Sequence, residues 1–81
     1  MTIEELAAHA GLSVEQTKCL LAKAQIAWLD YHNGGGDYNG GIQRGIVDTI
    51  AYLAKVEWQV VSRAMFDTEV SIYRQTHRMT L

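Results

Sequence analysis

Asn33-Gly34-Gly35-Gly36-Asp37-Tyr38-Asn39-Gly40-Gly41, near the middle of the chain, holds five of its seven glycines. Glycine loses more backbone freedom on ordering than any other residue and offers a core no side chain. A helix entering this stretch is therefore expected to end in it. On both sides the apolar residues recur with the 3.6-residue period of helices. The expected fold is all-α in a single small domain. It comprises a helical hairpin over residues 1–32, a glycine-rich joint over 33–41 and a helical C-terminal half over 42–81.

The stretch does not fit a ligand loop. A phosphate cradle needs Lys and Ser/Thr after its last glycine, and Ile42 and Gln43 stand there instead. A calcium loop opening at Asp37 would place Ile42 at the obligatory glycine and Asp48 at the bidentate glutamate. Asp37, Tyr38 and Asn39 serve better as turn formers in a joint between helices.

Upstream, Thr2 followed by Glu5 is a capping box that opens a helix over Ile3 to Ala10, and Gly11 closes it. Ser13 and Gln16 form a second box, from which a helix runs from Val14 toward His32. Val14, Thr17, Leu20, Leu21, Ala24, Ala27, Trp28 and Tyr31 form its apolar stripe. Ala22, Ile26 and Leu29 lie outside that stripe as a second apolar patch.

Downstream, one long helix is expected from Ile42 to about Ala64. Ile46, Leu53, Val60 and Ala64 form one row; Val47, Ile50, Ala54, Trp58, Val61 and Met65 form the next. Together they cover nearly half the circumference, wider than the roughly 100° stripe of a surface helix. Such a helix needs two neighbours, and a second copy of the chain is the simplest source of one. An oligomeric helical bundle follows, with Ile46, Leu53, Glu57 and Val60 at the interface. Glu57 falls inside the apolar arc, where a carboxylate needs a partner. Beyond it, Asp67 or Thr68 can cap a short helix to about His77, although Val70, Ile72 and Tyr73 also suit a strand.

Composition narrows the function. Apolar residues make up 48% and charged ones 20%, the balance of an ordinary globular chain. Net charge is −2: up to Gly41 it is −3 (2 − 5), and from Ile42 it is +1 (5 − 4). Neither half is basic in the manner of a nucleic-acid binder. Cys19, the single cysteine, has no base beside it in sequence, and His9, His32 and His77 are scattered without metal-ligand spacing. No enzyme activity, metal or cofactor is expected. No apolar run is long enough to span a membrane. The acidic N-terminus does not read as a secretory signal, so a cytoplasmic location is expected. Exposed aromatic residues anchor protein interfaces. Tyr52, together with Ile26 and Leu29, is therefore the expected protein-binding surface. The function expected is that of a small regulator, adaptor or inhibitor that binds another protein.

The stretch from Ile3 to Leu21, IEELAAHAGLSVEQTKCLL, resembles the helix-turn-helix unit of bacterial DNA-binding regulators. Ala7 packs inside, Gly11 makes the turn, Leu12 and Leu20 clamp the helices and Ser13 opens the second; Thr17 stands where that family usually has a branched apolar residue. The same stretch is similar to the N-terminal hairpin of the HU/IHF family, which often reads A-G-L-S here, and to UBA-like helical hairpins. The helix-turn-helix resemblance implies an alternative function, a transcriptional regulator dimerised by its C-terminal helix. Gln16 would then face bases, and Lys18 and Lys23 phosphates. Glu15, near the tip, would repel the nucleic-acid backbone.

Overall fold

The computed structural model describes residues 1–70, and every regular element among them is helical. In order these are α1 (Ile3–Ala10), α2 (Val14–Asp30), α3 (Asp37–Ala54) and α4 (Trp58–Asp67), with a π-type turn, Tyr31–Gly35, between α2 and α3. The expected C-terminal helix or strand falls mostly outside the described residues. Within them, Asp67 ends α4, Thr68 is extended (φ −78°, ψ 131°), and residues 69–70 belong to no regular element.

Both expected capping boxes form. The Thr2 hydroxyl accepts from the Glu5 N–H at 3.0 Å, and the Glu5 carboxylate accepts from the Thr2 N–H at 2.9 Å. Ser13 and Gln16 repeat the exchange at 3.0 and 2.9 Å. Gly11 ends α1 with φ 73°, ψ 26°. Its N–H reaches the Ala8 carbonyl at 3.3 Å, and the Leu12 N–H reaches that of Ala7 at 3.0 Å, the paired bonds of a Schellman turn.

Two boundaries differ from the sequence reading. The joint is shorter than residues 33–41, because α3 begins at Asp37 and takes Gly40 and Gly41 into its first turns. Two causes are visible. Asp37 suits the positive end of the helix dipole. The Tyr31 ring lies over Gly40, so close that a β-carbon there would sit 3.1 Å from the ring edge. Packing thus outweighs the roughly 1 kcal/mol that each helical glycine costs.

The second difference is larger. The single long helix expected from Ile42 onward is two helices, broken at Lys55 in the left-handed region (φ 59°, ψ 44°). The break folds α4 back, so that Val61, Ala64 and Met65 join the same core as Val47, Ile50 and Ala54. A straight helix would carry them out of reach.

The core draws on both halves of the chain. Leu6, Leu21, Ile50 and Met65 are its largest fully buried apolar members, each contributing about 1.5–3 kcal/mol by burial. Thr17 is buried too, its hydroxyl donating to the Ser13 carbonyl at 2.9 Å. α3 packs against α1, α2 and α4 of its own chain. Val47, Ile50, Ala54, Val61 and Met65 of the expected arc are therefore covered within the chain, while Leu53 and Trp58 stay exposed.

Candidate functional site

The α1–α2 corner presents the surface that a helix-turn-helix protein would turn toward DNA. Its outward side is a shallow cleft of about 450 Å³ lined by Leu12, Glu15, Gln16, Cys19 and Leu20. The corner itself creates the cleft. The Schellman turn sets Leu12 beside the first turn of α2, and helical spacing brings Glu15, Gln16, Cys19 and Leu20 onto one side. The walls are aliphatic and sulfur-bearing, and the ionisable side chains are Glu15 and Cys19.

The candidate DNA contacts fare unevenly there. The Gln16 amide oxygen already accepts the Ser13 N–H, whereas bidentate reading of adenine needs both ends of the amide. Lys18 is half-buried and Lys23 exposed. Ala22, which the sequence pattern places outside the apolar stripe of α2, is 1% exposed.

The second candidate region surrounds the joint. The Trp28 ring stacks on His32 with centroids 4.1 Å apart and meets the edge of Phe66 at 4.7 Å. His32 Nδ1 donates to the Trp28 carbonyl at 3.1 Å, which fixes the imidazole over the indole. Two clefts of about 380 and 360 Å³ adjoin here and share Gln43 and Arg44. Tyr31 and His32 line the first, and Trp58 lines the second. Phe66, which falls on the polar side in a single-helix reading, lies against Trp28 because α4 turns back.

The expected protein-binding residues are not brought together. Ile26 and Leu29 are half-buried on α2, and Leu29 is one residue from its end. Tyr52 is 82% exposed. It lies 15 residues into α3 (52 − 37), roughly 22 Å from the end that adjoins the joint. The expected inter-copy row is also divided: Ile46 and Leu53 are on α3, and Val60 is on α4. Ile46 packs on the core, while Leu53 is 42% exposed. Glu57 requires a correction. It is exposed, at the N-cap of α4, because the break at Lys55 takes it off the apolar arc.

Sequence reasoning missed Gln25. Its amide donates to the Met65 carbonyl and, at 3.1 Å, to that of Thr68. One side chain of α2 thus bonds two carbonyls at the C-terminus of α4; that of Met65 also accepts the Thr68 N–H at 3.2 Å. The available signal is an amide between apolar Ala22 and Ile26. Electrostatics adds little to either region. Glu5 is held below its ordinary value of 4.5 by the Thr2 backbone N–H first and the Thr2 hydroxyl second. Among the described residues no group of three or more His, Cys, Asp or Glu side chains is placed to hold a metal ion. No helix among them is long and apolar enough to cross a membrane.

Comparisons with protein-family models, curated proteins and solved structures found no match.

Proposed function

We propose that this chain is a non-enzymatic regulator, adaptor or inhibitor that works by binding another protein, with the α1–α2 corner as the contact surface. One observation carries the reading. The outward side of the α1–α2 corner carries a largely apolar cleft, lined by Leu12, Cys19 and Leu20 beside Glu15 and Gln16. Apolar side chains on a rigid helical surface suit a protein partner, whereas a phosphate backbone calls for lysine and arginine. The surface suits an amphipathic helix laid across the corner.

The test is a tagged-protein capture run beside Cys19→Arg, which places a charge in the cleft wall. The partner recovered by the parent chain is expected to be lost from the variant, with Tm unchanged. Equal recovery by both chains removes the corner from the reading.

The DNA-binding alternative keeps one observation in its favour. The two helices are joined by the three residues Gly11, Leu12 and Ser13, and Ala7 is buried, in line with the resemblance. Titration with random duplex at low salt separates the two readings. We expect binding weaker than about 10⁻⁴ M. Binding near 10⁻⁶ M that weakens steeply with salt would favour DNA.

A further inference from the structure

The two halves of the chain share one core across a joint whose closed form depends on glycine. We propose that the joint is a conformational device: when it straightens, α1–α2 of one copy packs against α3–α4 of a second, giving a swapped dimer that rebuilds the monomer's own core.

Little backbone separates α2 from α3. Asp30 and Tyr31 are still helical (φ −64° and −58°), and α3 is under way by Asp37. The departures are at Asn33 (φ −100°, ψ 23°), Gly34 (φ 89°, ψ 17°) and Gly36 (φ 79°, ψ 174°). Returning these residues to helical angles joins Val14 to Ala54 in one helix of 41 residues (54 − 14 + 1), roughly 60 Å long. That chain can no longer bury its core alone.

A second copy is the occupant that fits, because the lost contacts run between the halves. Gln25 on α2 holds the Met65 and Thr68 carbonyls. Trp28 holds Phe66. Leu6, Leu21 and Ala24 share a cluster with Val47, Ile50 and Met65. Each contact can be remade between two chains with the same partners. At the joint itself the Tyr31 ring covers Gly40, and no side-chain hydrogen bond caps the start of α3.

Gly34 and Gly36 set the balance. At positive φ an L-residue is disfavoured, and the Gly36 angles are accessible to glycine almost alone. In a straight helix alanine is the preferred residue and glycine the poor one. A β-carbon at either position meets nothing within 4 Å. Replacing both with alanine therefore acts through backbone preference, against the closed form and for the open one. Together the two effects raise the ratio of swapped to closed chain on the order of 1000-fold. The proposal is independent of the partner-binding reading, since the Leu12–Leu20 cleft lies within α1–α2 and survives in either form.

The test uses the full chain in a Cys19→Ser background, with spin labels on Lys23→Cys and Tyr52→Cys and an excess of unlabelled chain. With the native joint the labels lie within a molecule whose longest dimension is 32 Å. Adding Gly34→Ala and Gly36→Ala is expected to give a dimer on sedimentation, with the labels of one chain about 43 Å apart along the continuous helix. A monomer of unchanged size, or a dimer with an unchanged label distance, overturns the proposal. If the double variant does not fold, a chemically made chain with D-alanine at both positions decides the matter. D-residues favour positive φ, so that chain must stay monomeric and melt no lower than the parent; a loss matching the L-alanine chain overturns the proposal.

Discussion

The two corners of this molecule have nearly the same backbone and very different sequences. At the first, Ala10-Gly11-Leu12-Ser13-Val14 joins α1 to α2; at the second, Ala54-Lys55-Val56-Glu57-Trp58 joins α3 to α4. The left-handed residue has φ 73°, ψ 26° at Gly11 and φ 59°, ψ 44° at Lys55. The following N-cap has φ −71°, ψ 158° at Ser13 and φ −68°, ψ 149° at Glu57. The same two turn bonds close both corners, at 3.3 and 3.0 Å in the first and 3.3 and 3.1 Å in the second. Burial follows suit at a spacing of 44 positions (50 − 6): Leu6 and Ile50, Ala7 and Ala51, Thr17 and Val61, and Leu21 and Met65 are all buried. The first corner has glycine, a capping serine and a reciprocal glutamine. The second has none of these and folds the same way. A helical corner can therefore be imposed by the side chains its flanking helices must bury, without local turn chemistry.

This equivalence can be tested, starting with its strongest consequence. Leu21→Ala and Met65→Ala remove equivalent core side chains, and each is expected to cost about 2–5 kcal/mol in denaturant unfolding. A large loss at one and almost none at the other would end the equivalence. Next come the left-handed positions. Gly11→Ala should destabilise by about 1–2 kcal/mol, and Lys55→Gly should stabilise by about 1 kcal/mol, since only the second corner carries a side chain there. The caps sharpen the contrast further. Ser13→Ala should cost about 1 kcal/mol, whereas Glu57→Ser should gain up to about that much by supplying a cap where no side chain now bonds. The smallest effect separates the two capping boxes by pH. Because Glu5 is held below its ordinary value, its stabilisation of α1 is complete above that value and is lost as the pH falls through the lowered one. Protection factors of the α1 amides, taken against the intrinsic exchange rate at each pH, should therefore fall on acidification below about pH 4.5. The Gln16 box has no carboxylate and should not contribute such a change at α2.

These same differences explain what was legible in the sequence. Thr2 with Glu5, Gly11, and Ser13 with Gln16 spell out the ends of α1 and the start of α2 in residues a few positions apart, and those boundaries can be read directly. The α3–α4 corner has no such signal, because apolar residues continue at helical spacing through Ile50, Leu53, Ala54 and Trp58. Reading straight through puts Glu57 inside an apolar arc and leaves Phe66 on a polar face, and the turn at Lys55 removes both anomalies. The start of α3 was hidden for the opposite reason. Glycine spelled a break at Gly40 and Gly41, but the Tyr31 ring and the packing of α3 overrule it. For the candidate site, one inference was within reach. The pattern that makes Gln16 a capping residue also commits its amide oxygen, which weakens it as a reader of bases. That Gln25 ties down the end of α4 depends on where the fourth helix lies, and short-range pattern does not encode that.

The stack of Trp28 with His32 and Phe66 has an optical consequence. The chain has two tryptophans, and they occupy dissimilar surroundings: Trp28 is half-covered by rings from the joint and α4, while Trp58 is 54% exposed at the start of α4. Their emission spectra should differ, with Trp28 the bluer component and the one quenched by its imidazole neighbour. Trp58→Phe would leave a single tryptophan, excited selectively at wavelengths beyond tyrosine absorption, reporting whether α4 is seated on α2. The molecule thus carries its own label at the place where its two halves meet.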